Sequence, residues 1–504
     1  MFERLPHELL KFIISEISIQ DVKNLSQTSK HFHSSTLPTL WTSVVIPAWS
    51  TKDTYGIRID GFPLDRLVFM KSISLRFVTE NNARACPHDR RLQTCQEAND
   101  EEIVDKLSSF EKLTEVILAL LEKFEKEQLT SFRLHLETLE LDLVNWPHLR
   151  KALGYRNDNE RVRRMRARDY MHKSILGLDI HSPHITFPNL HTLVLSHVPL
   201  TATLVQSINF EVLRSLTIRS CPQWYDFVLA IARRRIPVRL KELELQESWP
   251  KNDAATDETE DGDPTEVLLE YFQGLEKFYL DQTGDMLSKD TWENVCHHSS
   301  TLKRFVNHSN FYNEELEVWT DLPDMMINER DKERWWDDPT SSPLYNLDLD
   351  FIGLSCEPIH LLDVLNPFSK KDCLKVVHVR QSRKNLEYTW SWGIMVITDD
   401  EPVDDTPAVD EGENPSSEYL EPMFWAFVEW AFSYKGIKSL EYIVFGDFGR
   451  PERTSRGNLL ICREGYGSED FHIIRESCPS PEWDYVKKEY GDALRSCPSL
   501  RSIV

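Results

Sequence analysis

The chain has 504 residues, 40% hydrophobic and 11% aromatic, with nine cysteines and a formal net charge of −24. That is apolar material for a large core and more chain than one usual compact domain, so two domains or one elongated array is expected. Nine scattered cysteines fit free thiols better than a disulfide framework. The negative field argues against general nucleic-acid binding. No stretch nears the about eighteen apolar residues of a membrane span, and the start Met1-Phe2-Glu3 lacks a basic segment, so an intracellular protein, cytoplasmic or nuclear, is expected.

The first predicted helix carries Leu9, Leu10, Ile13, Ile14 and Ile17 at helical spacing, with Pro6 in its first turn, where a missing N–H costs nothing. Ser18-Ile19-Gln20-Asp21 supplies a cap for a second helix that turns Val22 and Leu25 inward. A third helix is predicted around Lys30 to Ser35. Three helices in so short a segment cannot bury all of this apolar surface among themselves. The rest of the stripe therefore needs cover, either from the domain behind it or from another polypeptide.

The order Leu5-Pro6-x-Glu8-Leu9, Asp21-Val22, Thr28-Ser29-Lys30-x-Phe32 and Leu40-Trp41 resembles the F-box family over roughly residues 4–45. Many members have Val-Cys-Lys-x-Trp where this chain has Thr28-Ser29-Lys30-His31-Phe32, a mild departure. The resemblance implies three helices that dock a Skp-type adaptor, which bridges to a cullin–RING ubiquitin ligase. Carried over by position, the adaptor-binding residues would be Leu5, Pro6, Leu9, Ile13, Ile17, Val22, Leu25, Phe32, Leu40 and Trp41. Leu9, Ile13 and Ile17 would be the anchors of a helix laid into a groove.

Further along, Leu-x-x-Leu-x-Leu starts at Leu136, Leu190, Leu240 and Leu344, whereas chance predicts about one such match. Relaxed copies start at Met70, Leu113, Leu213, Leu275, Leu374, Leu440 and Leu500, with a poorer one at Leu302. Leu213-x-x-Leu216-x-Ile218-x-x-Cys221 extends to the position where Asn or Cys can bond the turn backbone, and Phe187-Pro188-Asn189 supplies turn chemistry before a strand. This pattern resembles degenerate leucine-rich repeats, in which each unit needs its neighbours to bury its apolar face.

Between these copies lie insertions. Residues 150–175 read as a protruding helix whose Arg161, Arg163, Arg164, Arg166 and Arg168 form a solvated face, a basic import patch or a site for an acidic or phosphorylated partner. Residues 253–270 hold eight acidic and no basic side chains and residues 399–421 hold ten and none, so both, with borders near 250–266 and 399–421, are expected to be solvated, disordered loops. Trp335-Trp336 sits in an expected partly packed loop. Tyr388–Thr398 reads as a strand, and the aromatics of 424–434 read as helical core packing.

A search for chemistry returns little. Cys86-x-His88 with Cys95, and Cys296-His297-His298 with His308, lack the paired spacing that closes a tetrahedral metal site. No nucleophile elbow, phosphate loop or zinc-protease helix is found. The expectation is an α/β protein: a three-helix F-box over 1–46, then an irregular leucine-rich-repeat solenoid over 47–504, with parallel strands on a concave face and helices and loops on the convex one. It would be a noncatalytic substrate receptor of a Skp–cullin–F-box ligase, with no cofactor and no membrane partner, presenting an unidentified protein target. A scaffold that binds the adaptor without cullin, and a metal-dependent enzyme, are the alternatives.

Overall fold

The computed structural model describes residues 10, 13–14, 16–40, 43–50, 55–57, 72–79, 136–142, 185, 187–196, 198, 200–221, 223–235, 237–247, 263–283, 289–313, 318–321, 334–335, 338–356, 358–380, 422–449 and 458–498. The chain divides into two units, Met1–Arg239 and Leu240–Val504. It is a mixed α/β protein with helices near the amino terminus and mostly parallel strand pairing.

In the first unit, helices α1 (Ile19–Ser26) and α2 (Lys30–Leu40) precede strands β1 (Ser43–Ser50), β2 (Tyr55–Ile57), β3 (Ser72–Thr79), β4 (Thr138–Asp142), β5 (Thr192–Ser196) and β6 (Ser215–Arg219). The expected third helix, here α2, runs five residues beyond Ser35, through Pro38. Strands β1, β3, β4, β5 and β6 pair in parallel, in that order, and β2 pairs antiparallel with β1. The register aligns Val44, Ile73, Leu139, Leu193 and Leu216 in one row, and Ile46, Leu75, Leu141, Leu195 and Ile218 in the next. These are the fourth and sixth positions of the leucine pattern. A one-residue slip anywhere would turn a strand's leucines to the other face, so the pattern fixes the pairing.

Helix α3 (Trp224–Arg233) follows β6 and buries Trp224, Phe227, Val228, Leu229, Ile231 and Ala232. Between strand and helix the Cys221 thiol donates to the Leu195 carbonyl at 3.3 Å, which is the turn bond expected of that position. The turn at Pro188–Asn189 precedes β5 as its residues predict.

The second unit pairs β7 (Glu242–Gln246), β8 (Lys277–Thr283), β9 (Arg304–Asn313), β11 (Phe351–Leu354), β12 (Val376–Val379) and β13 (Tyr442–Phe445) in parallel, and β14 (Leu459–Arg463) and β15 (Phe471–Arg475) antiparallel. Strand β10 (Val318–Asp321) folds back on β9. One row runs Leu243, Phe278, Phe305, Ile352, Val377, Ile443, all with no exposed surface. The pattern's first position is as dry: Leu240, Leu302, Leu349, Leu374 and Leu440 are fully buried.

Helices α4 (Pro264–Tyr271), α5 (Lys289–Cys296), α6 (Pro358–Leu365) and α7 (Pro422–Phe432) return between strands, and α8 (Pro481–Leu494) follows β15. Four of these five begin on proline, the residue whose lost N–H is harmless in a first turn.

Two expectations need correction. The leucines from Leu344 do not form the strand: Leu344 lies in a 3-10 turn, Pro343–Asn346, and the copy that pairs is Leu349-x-x-Ile352-x-Leu354. Both frames satisfy the pattern, and only the second places its apolar residues opposite Phe305. The acidic segment 253–270 is also not loop throughout. Asp263 caps α4, its carboxylate accepting from Thr265 N at 2.7 Å, and Leu268 and Leu269 are buried. Two leucines with a cap outweigh the local negative charge.

The aromatics of 424–434 pack as expected. Phe424, Phe427 and Phe432 of α7 are buried, with Phe424 against Phe445 at 5.1 Å, while Tyr434 beyond the helix is exposed. Trp335 is buried at 8% exposure. The predicted strand at 388–398, the acidic loop 399–421, the arginine-rich 150–175 and the copies at Leu113 and Leu500 lie outside the described residues.

Candidate functional site

Ser18 begins the amino-terminal site. Its hydroxyl accepts from Asp21 N at 3.2 Å and donates to the Asp21 carboxylate at 2.7 Å, so the cap starts α1 and aims Val22 inward. Leu10 and Ile14 join Val22 and Phe32 in a small buried cluster, with Ile17, Leu25 and Leu40 packed at its margin. In α2 the Thr36 hydroxyl, itself buried, donates to the Phe32 carbonyl at 2.8 Å. The helical arc is wider than one stripe: Leu10 and Ile14 face in, whereas Ile13 is 37% exposed and Ile19 in the first turn of α1 is 54% exposed.

Of the residues carried over from the resemblance, Val22 and Phe32 are interior, Ile17, Leu25 and Leu40 are half-buried, and Ile13 faces outward. Leu5, Pro6, Leu9 and Trp41 lie outside the described residues, as do Arg161, Arg163, Arg164, Arg166 and Arg168. Exposed Ile19 was not among the expected anchors. Its signal was an isoleucine directly after the Ser18 cap.

An F-box-like family model matches residues 2–47. F-box domains bind Skp1-type adaptors, and the match covers the segment whose helices were just described. No curated protein matches the chain.

A second arrangement lies in the second unit, on the sheet face opposite the leucine rows. There Tyr279, Val306, Phe351, Val376, Val444 and Leu460 form an apolar patch, and α8 covers it with Trp483, Val486, Tyr490, Ala493 and Leu494. The helix starts where Ser480 caps Trp483 N, with Pro481 in the first turn and Glu482 and Asp484 complementing the helix dipole. Tyr490 stacks on Phe351 at 5.5 Å between centroids, and Trp483 packs on Phe448 at 5.7 Å while its indole N–H donates to the Ile474 carbonyl.

Charge seals one edge of this contact. The Asp492 carboxylate accepts from Lys277 Nζ at 2.7 Å, Arg304 Nη1 at 2.8 Å and the Tyr279 hydroxyl at 3.2 Å. Burial alone would raise the Asp492 carboxyl, but the lysine and arginine hold it below the ordinary value. Burial, with Asp492 beside it, pushes the Tyr279 phenol well up.

Past the helix, three residues are gripped through their main chain. Arg380 donates to the carbonyls of Ser496 and Cys497, both at 2.9 Å, the Cys497 N–H donates to Glu244 Oε1 at 2.6 Å, and Gln246 donates to the Pro498 carbonyl at 2.6 Å. Cys497 has φ +45°, a left-handed conformation that this fourfold grip holds in place.

The candidate metal residues are engaged otherwise. Cys296 donates to the Pro343 carbonyl, His297 pairs with Gln273, and His298 bonds the Leu269 carbonyl while burial lowers its pKa to about 4. His308 lies 3.5 Å from Asp281. Cys86, His88 and Cys95 lie outside the described residues. Among the described residues no three His, Cys, Asp or Glu side chains gather as metal donors, and no helix is long and apolar enough to cross a membrane.

Proposed function

We propose that this protein is a noncatalytic substrate receptor of a Skp–cullin–F-box ubiquitin ligase, acting inside the cell. The amino-terminal helices dock the adaptor, and the in-register strand units, taken as irregular leucine-rich repeats of a solenoid, hold a protein target. The reading rests on one observation: the F-box-like match falls where a small self-contained core leaves Ile13 and Ile19 uncovered. Ubiquitin transfer then belongs to partners, and the receptor acts by raising the local concentration of its target.

Capture of a purified Skp-type adaptor by the full chain tests it. Ile13→Asp should weaken capture by about 2 kcal/mol or more, roughly 30-fold, with thermal unfolding unchanged. Ile14→Asp should cost both capture and folding of the helical segment. Equal capture by the unsubstituted chain and Ile13→Asp removes the reading. Cullin in the captured material supports a receptor; adaptor alone marks a scaffold.

A further inference from the structure

The covered face of the second unit specifies, by the way it is filled, what else it accepts. The pairings described among β7 to β15 are all strand to strand and α8 adds none, so it can leave without opening them. The helix is amphipathic by itself: Trp483, Val486, Tyr490 and Leu494 recur on the buried side, while Asp484, Lys488 and Glu489 are exposed.

The receiving groups are general in what they read. Lys277 and Arg304 bind the Asp492 carboxylate in the last turn of the helix while also facing Glu242 at 2.6 Å and Asp350 at 3.9 Å, respectively. Arg380, Glu244 and Gln246 bond main-chain atoms of residues 496–498, so they recognise a backbone bend, left-handed at Cys497, whatever its side chains. Between these two polar contacts lies the apolar patch of Tyr279, Val306, Phe351 and Val444. Apolar floor, paired cations and backbone readers together form a site for a helix that ends in a tight bend.

We propose that α8 with residues 496–498 is an internal pseudo-ligand, and that the face it covers is a recognition surface for an amphipathic helix of a protein partner. Such a helix carries apolar residues at the spacing of 483, 486, 490 and 494 and a carboxylate in its last turn. Partner and α8 compete for one face, so the accessible fraction of the site scales the partner's affinity.

Hydrogen exchange on the full chain, together with capture of a labelled peptide of residues 480–498, tests this. The α8 amides should exchange at least tenfold faster than those of β9 and β11 through local release. Asp492→Lys, which faces Lys277 and Arg304 with a like charge, should speed α8 exchange at least another tenfold, leave the strands protected, and raise peptide capture at least tenfold. Adding Lys277→Glu should restore slow exchange and suppress capture. Exchange of α8 only at the strand rate in all variants, or capture unaltered by Asp492→Lys, overturns the proposal. Neither outcome bears on adaptor docking, because the purified chain alone is used.

Discussion

The two units share the leucine rows and differ on the opposite face of their strands. In the first, that face carries Thr138 and Glu140, Thr192 and Val194, Ser215 and Arg219, all half-buried, with Ser196 and Thr217 buried. In the second, the equivalent positions of the pleat carry buried Tyr279, Val306, Phe351, Val376 and Val444 beside half-buried Glu242, Lys277, Arg304 and Tyr442. An identical ladder therefore serves two purposes, and the residues between the leucines decide which. Small hydroxyls and charges tolerate water; aromatic and branched side chains demand cover, which α8 supplies.

Removing that cover should give the largest effect. Trp483→Ala takes away a side chain that is 2% exposed and its indole bond to the Ile474 carbonyl, so it should destabilise the second unit by about 3–5 kcal/mol in denaturant titration. Thr192→Ala, on the corresponding face of the first unit, should stay within about 0.5 kcal/mol. Similar losses at both sites would erase the distinction between the faces.

Acid sharpens the comparison next. Burial lowers His298 to about 4 and His378, bonded to the Gly446 carbonyl, to about 3. Both bases are depressed in the folded chain, so the unfolded chain binds protons first as pH falls below about 6.5. Stability of the second unit should be full above that pH and fall below it, down to about 4 for His298 and about 3 for His378, with a slope of up to about 1.4 kcal/mol per pH unit for each histidine. His298→Asn should flatten part of this slope in denaturation followed against pH. The Asp492 clamp acts lower: its depressed carboxyl keeps its contribution above about pH 4 and loses it on further acidification.

Much of this was legible because a sheet's register has period two and leucines mark it. The rows through Leu139, Leu193 and Leu216, the thiol bond of Cys221 and the burial of Phe424 and Phe427 all follow from spacing. Leu344 misled because two overlapping frames meet the same pattern, and only a neighbour, Phe305, chooses between them. Asp263 misled because composition averaged over 253–270 hides a cap that begins a helix. The cover over Phe351 was illegible for another reason: it joins residues more than a hundred positions apart, and local periodicity carries no information about that distance.

The amino-terminal site repeats the lesson within one helix. Leu10 and Ile14 pack inward while Ile13, one residue away, looks out. The resemblance put Leu9, Ile13 and Ile17 together as anchors; Ile13 faces outward, Ile17 is half-buried, and Leu9 lies outside the described residues.

The smallest effect separates fold from docking at this site. Ser18→Ala removes the oxygen that accepts from Asp21 N and should cost about 1 kcal/mol of helical-segment stability. The cap touches none of the exposed apolar residues. Its loss should therefore weaken adaptor capture only through the fraction of molecules unfolded, and far less than Ile13→Asp, which leaves the cap intact and changes the surface. Were Ser18→Ala to match Ile13→Asp in capture at a temperature where the segment stays folded, the division between an inner cluster that shapes these helices and an outer residue that binds would not hold.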